Sequence, residues 1–135
     1  MSAEKDWLAE QVPDALWLAW MVNMNLSHPR LEEAYGAQVI QIRYRETWGH
    51  ELLVALGGEL VQSSHSATGW QFYQRHYADY RQAVLSGQLR LSAQADAAGY
   101  SQVSTFLNDR HFKVGAQASG WGSRLRRWFG KKNQI

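Results

Sequence analysis

The stretch QVIQIRYRE, residues 38–46, decides the fold class, because two different periods run through it. Ile40, Ile42 and Tyr44 alternate with Gln41, Arg43 and Arg45, the pattern of a half-buried strand. Followed outward, the same region fits a second series. Tyr35, Val39 and Ile42, then Leu52, Leu53, Leu56 and Leu60, recur as on a long helix stopped or bent at Gly57 and Gly58. A lone strand with no convincing partner is unstable, so the helix is preferred. The expectation is a mainly α fold: a small helical domain of about five helices, a short strand at 38–46 as the alternative, and a flexible basic C-terminal tail.

Upstream, Trp7, Leu8, Val12, Leu16, Trp17, Trp20, Met21 and Met24 recur at three- and four-residue steps, which predicts a helix with one broad buried face. Pro13 interrupts the series, so a short leading turn and a restart near Pro13 are expected. Residues 25–29 read as a connection, with Ser27 or His28 placed to cap a helix whose first turn carries Glu32 and Glu33. Downstream, Trp70, Tyr73, Tyr77, Tyr80 and Val84 mark the clearest helix, stopped at Ser86 and Gly87. Ser92 is placed to cap a further short helix through Ala98, with a turn at Gly99 and another helical segment over 102–109.

The length of 135 residues suits one domain, and a hydrophobic content of 45% with seven Trp and six Tyr supplies a core. Without cysteine there is no disulfide framework, thiolate metal site or Cys nucleophile. The acidic start MSAEKDWLAEQ lacks the basic and apolar regions of a secretory signal, and the most apolar window, 15–24, is about half of the roughly 20 residues a spanning helix needs. A cytoplasmic protein, peripheral at most to the inner face of a membrane, is expected. The net charge of +2 hides a division. Residues 1–112 hold eight Lys and Arg against all twelve acidic groups, a balance of −4, whereas residues 113–135 hold six basic groups and no acid. A helical body at 1–112 and a basic aromatic tail at 113–135 follow.

In the tail, Trp121, Leu125, Trp128 and Phe129 fall on one face of a helix, flanked by Arg124, Arg126, Arg127, Lys131 and Lys132. Such a segment can lie in a bilayer interface, each cation near an anionic surface contributing roughly 1 kcal/mol. It resembles the short C-terminal membrane-targeting helices of MinD-type bacterial positioning ATPases, in which a few apolar and basic residues precede a glycine. The resemblance implies membrane contact for the tail and nothing for the body, which has no phosphate-binding loop. In a second reading the tail's aromatic residues pack back onto the domain. Nucleic acid ranks below lipid as a ligand, because the acidic body repels a long polyanion.

Residues 92–111 have the layout of a helix-turn-helix, with Ala95 at the crossing, Gly99 at the turn, and Gln102, Ser104 and Thr105 facing a groove. The run Ala98, Gly99, Tyr100, Ser101 and the run Ser104, Thr105, Phe106 are similar to the second such unit of AraC-type regulators. That resemblance implies a DNA-binding regulator, which with the basic tail as a further contact is the alternative function; a plain packing corner is preferred, because short motif matches specify little.

An enzyme would have to draw on His28, His50, His65, His76 and His111. Glu46 with His50, His28 with Glu32, and His76 with Asp79 each share a helix face, but none has the H-E-x-x-H arrangement. No catalytic residue, metal ligand or cofactor is assigned, and a small enzyme with a His/acid site ranks third. The aromatic helix suits a partner instead. Phe72, Tyr73, His76 and Tyr77 are the candidate partner surface, with Phe72 and His76 off the main stripe and facing outward. The expected role is that of a non-enzymatic interaction or adaptor protein, with another protein on its body and an anionic membrane surface at its tail.

Overall fold

The computed structural model describes the backbone of residues 2–119 and the side chains of residues 10–112. Among these residues six α-helices follow one another: α1 (Ser2–Asn23), α2 (Arg30–Ala34), α3 (Gly36–Arg43), α4 (His50–Ala55), α5 (Ala67–Leu85) and α6 (Ala97–Ser119). A 3-10 turn, Gln62–Ser64, precedes α5, and an isolated antiparallel bridge joins Ser27 to His65. The fold is mainly α, with no strand among the described residues.

Helix α1 is the centre of the unit Met1–Ser104. Every side chain from Ala15 to Val22 is buried, so the helix is covered all round rather than on the single broad face that its periodicity predicts. Helices α3, α4 and α5 all pack on it. Pro13 does not restart the helix, which runs through it unbroken. The end of α1 is closed by a Schellman motif: Leu26 N–H donates to the Met21 carbonyl at 2.8 Å and Asn25 N–H to that of Val22 at 3.2 Å. Asn25 takes the left-handed conformation this needs, at φ 58°.

The decisive stretch is helical through Arg43, where α3 ends, and residues 44–46 turn out of the helix. Val39 and Ile42 are buried one turn apart, while Ile40 and Tyr44 are 53% and 75% exposed, so the alternating face of a strand does not exist. The predicted long helix does not form either. Arg45 N–H donates to the Ile42 carbonyl at 3.0 Å and Glu46 N–H to that of Gln41 at 2.8 Å, a second Schellman closure. Its left-handed residue is Arg45, at φ 62°, where glycine is usual. The chain then reverses at Gly49, φ 102°, where a Cβ would lie 2.0 Å from the Ala15 carbonyl oxygen. Gly49 thus lets α4 start against the backbone of α1.

His28 contributes to the start of α2, its Nδ1 accepting the Arg30 N–H at 3.1 Å. Ser66 caps α5 by accepting the Gly69 N–H at 3.0 Å, and its hydroxyl donates to the Leu26 carbonyl at 3.1 Å. The predicted helix from Ser92 through Ala98 is absent: residues 90–96 are irregular. Asp96 instead opens α6, Oδ1 accepting the Gly99 N–H at 2.7 Å, so Gly99 lies in a first helical turn and not at a turn between helices.

Residues Thr105–Ile135 form the second unit. Within it the Arg110 guanidinium lies 3.7 Å above the Phe106 ring, a cation–π contact.

Candidate functional site

Trp17 organises the aromatic side of α1. Its ring is wholly buried and lies within 5.2–5.8 Å, centroid to centroid, of Phe72, Tyr73, Tyr77 and Tyr80 on α5. Indole Nε1–H donates to Nε2 of His65 at 3.1 Å. The other ring nitrogen, Nδ1, lies 2.9 Å from the Val61 carbonyl, which can only accept, so the proton sits on Nδ1. Burial holds the His65 pKa below its ordinary value and favours the neutral ring this network requires. Both nitrogens are committed, which makes His65 a latch between α1 and the loop before α5.

On the outer side of Trp17, the half-buried rings of Trp70, Tyr73 and Tyr77 form a stacked ladder along α5. Trp70 and Tyr73 are 4.6 Å apart and 9° from parallel; Tyr73 and Tyr77 are 4.4 Å apart and 18° from parallel. The lower end is anchored by polar groups. Tyr77 O–H donates to Asp14 Oδ1 at 2.5 Å, and Arg81 approaches the same oxygen at 3.8 Å. Burial raises the Asp14 pKa against the lowering effects of Tyr77 and Arg81, and burial followed by the Asp14 hydrogen bond raises that of Tyr77. One turn further, Tyr80 O–H donates to the Pro13 carbonyl at 2.5 Å.

Beside the upper end of the ladder runs an open groove of about 970 Å³, lined by His28, Gln62, Trp70, Gln71 and Gln74 among others. No Asp, Glu, Lys or Arg is among the described residues lining it. Stacked rings flanked by amide side chains offer apolar area with hydrogen-bonding edges, the composition of a recognition surface.

The structure divides the predicted partner surface. Tyr73 and Tyr77 belong to the ladder, and half-buried His76 packs on Phe72 at 4.6 Å. Phe72 does not face outward: it is 7% exposed and wedged against Trp17 and Trp20, so the inner stripe of α5 runs through Gly69, Phe72, Tyr80 and Ala83. The physical reason is size and polarity, since Phe has no polar tip to keep near water whereas Tyr does.

Gln102, predicted to face a DNA groove, clamps the Arg90 backbone, accepting its N–H at 2.8 Å and donating to its carbonyl at 2.9 Å. Ser104 is half-buried and Thr105 exposed. The tail candidates Trp121, Arg124, Leu125, Arg126, Arg127, Trp128, Phe129, Lys131 and Lys132 lie outside the described residues. Among the described residues, no helix is long and apolar enough to cross a membrane.

Trp17, His65 and Asp14 escaped the sequence reading of the site. Trp17 and His65 are 48 positions apart and Asp14 and Tyr77 are 63 apart, separations that no local pattern reports. The one available signal was the polar Asp14 beside an otherwise apolar run, since such a residue needs a partner when buried.

No curated protein and no solved structure matches the chain. Residues 9–97, from α1 to the start of α6 and including the whole ladder, match the model of a domain of unknown function, DUF7832. The chain therefore belongs to the DUF7832 family.

Proposed function

We propose that this protein is a non-enzymatic interaction module whose α5 ladder receives a partner protein, while its basic, Trp-bearing tail contacts an anionic membrane surface. The observation that carries the first half is the stacked, half-buried row of Trp70, Tyr73 and Tyr77 beside a groove with no Asp, Glu, Lys or Arg among its described lining residues. Folding alone needs the inner faces of these rings. Their outer faces remain near water, where aromatic residues supply the anchors of protein interfaces. Both His65 nitrogens are engaged in structural hydrogen bonds, which favours binding over catalysis at that ring.

Support for the second half is the segregation of charge, −4 over residues 1–112 against six basic groups and no acid beyond. Exposed Gln71 and Gln74 allow a test that spares the core. Quantitative affinity enrichment from the native host should recover a partner with the unaltered chain and lose it with Gln71→Glu/Gln74→Glu, which places charge in the neutral groove. Equal recovery by both chains refutes the assignment of this face.

A further inference from the structure

A second cavity, of about 400 Å³, shares no lining residue with the ladder. One wall is the turn between α3 and α4, with Glu46, Thr47 and Trp48, continuing into His50 and Glu51 at the start of α4; the other is the segment 93–95. Val12 of α1 also lines it. Its volume falls in the range of small-molecule sites.

Both walls are fixed without a ligand. Glu46 and Thr47 N–H groups donate to the Gln41 carbonyl at 2.8 and 3.3 Å, and Gly49 is pressed on Ala15. The Trp48 ring packs on that of Tyr100, tilted by 41° with centroids 5.2 Å apart. Opposite, the Ser92 hydroxyl donates to Asp96 Oδ2 at 2.8 Å, and the Gln94 N–H donates back to Ser92 Oγ at 3.3 Å. Left-handed Arg45 is a non-glycine residue in a conformation that costs energy, and its guanidinium lies 4.8 Å from the Tyr100 ring centre.

The lining chemistry has one sign. Among the described residues it holds two carboxylates, Glu46 and Glu51, and an indole, with no Lys or Arg. His50 lines it as well, and its Nε2 is buried with no hydrogen-bond partner. Val12, Ala93 and Ala95 add apolar surface. No group of three or more metal-ligating side chains converges among the described residues. We propose that this cavity binds a small aliphatic amine: the ammonium lies between Glu46, Glu51 and the Trp48 ring, and the hydrocarbon body against Val12, Ala93 and Ala95. Carboxylates supply the charge attraction and the indole a cation–π contact.

The test is calorimetric titration of the full chain with cadaverine at low ionic strength, with 1-pentanol as the uncharged comparison. The proposal requires saturable one-to-one binding of the amine, none of the alcohol, and affinity at least tenfold weaker in Glu46→Gln/Glu51→Gln. Glu33→Gln/Glu59→Gln, which removes as much charge elsewhere, must leave affinity unchanged. Absence of saturable binding, or equal weakening by the two double variants, overturns it. A second measurement needs no variant: on titration of the unaltered chain, the Trp48 indole and Thr47 amide NMR signals must shift, and shifts confined to other residues also overturn it.

Discussion

Trp17 and His65 share a buried hydrogen bond, indole Nε1–H to imidazole Nε2 at 3.1 Å, that ties the central helix to the loop preceding the aromatic ladder. A buried acceptor left without its donor costs about 1–3 kcal/mol. Trp17→Phe keeps an aromatic ring and removes the donor, so it should lower unfolding free energy by about 2–4 kcal/mol once lost packing is included. Urea denaturation with an unchanged slope checks this; a loss below about 0.5 kcal/mol would mean that the bond is not structural.

The same pair predicts a pH response. His65 has its folded-state pKa depressed from the ordinary 6.5, so the unfolded chain binds the proton more readily. Its contribution is complete above 6.5 and is lost as pH falls toward the depressed value. Asp14 acts in the opposite sense: its pKa is raised above the ordinary 3.8, so stability from this group is present below 3.8 and declines as pH rises through the raised value. Unfolding free energy measured between pH 3 and 8 should therefore lose its His65 component in His65→Phe, and Asp14→Asn should remove the opposing one. Parallel curves for His65→Phe and the unaltered chain would contradict the assignment.

Glycine positions give a sharper contrast. Gly49→Ala would set a Cβ 2.0 Å from the Ala15 carbonyl at φ 102°, whereas Gly57, at φ 98°, has nothing within 4 Å of its added Cβ. Thermal unfolding should show a loss of about 4 kcal/mol or no folded protein for Gly49→Ala, against about 1 kcal/mol for Gly57→Ala. Arg45→Gly should be neutral to stabilising by about 1 kcal/mol, because it relieves the left-handed residue.

These contrasts show what was legible. Helix α5 was readable because Trp70, Tyr73, Tyr77 and Tyr80 step by three and four, yet its inner face was not. Tyr is long and amphipathic and can line either side of a boundary, and no local pattern reports that Trp17 packs against the apolar Phe72. The reversal after α3 was hidden because Arg45, not glycine, takes the left-handed position. Ser92 looked like a helix cap, but Asp96 holds that role and Ser92 braces it, a choice made by side-chain hydrogen bonds rather than by spacing.

Gln102 supplies a prediction that bears on the DNA reading. Its two hydrogen bonds to the Arg90 backbone should make Gln102→Ala destabilising by about 1–2 kcal/mol in denaturant titration. A stability change within about 0.3 kcal/mol would leave the side chain free for another use.

Vesicle flotation addresses the tail. The full chain should float with anionic vesicles at low salt and not with neutral ones, and Arg124→Glu/Arg126→Glu/Arg127→Glu should abolish flotation. Flotation with neutral vesicles, or indifference to the triple charge reversal, would remove the membrane from the account.

The most direct measurement of the central claim is site-specific photo-crosslinking in the native host, with the reactive group placed in turn at Gln71, Gln74 and the exposed Glu33 on α2. A face that receives a partner must give one protein adduct at Gln71 and Gln74 that is absent at Glu33. Equal labelling at all three sites, or none at Gln71 and Gln74, would contradict the assignment of the α5 ladder as a partner surface.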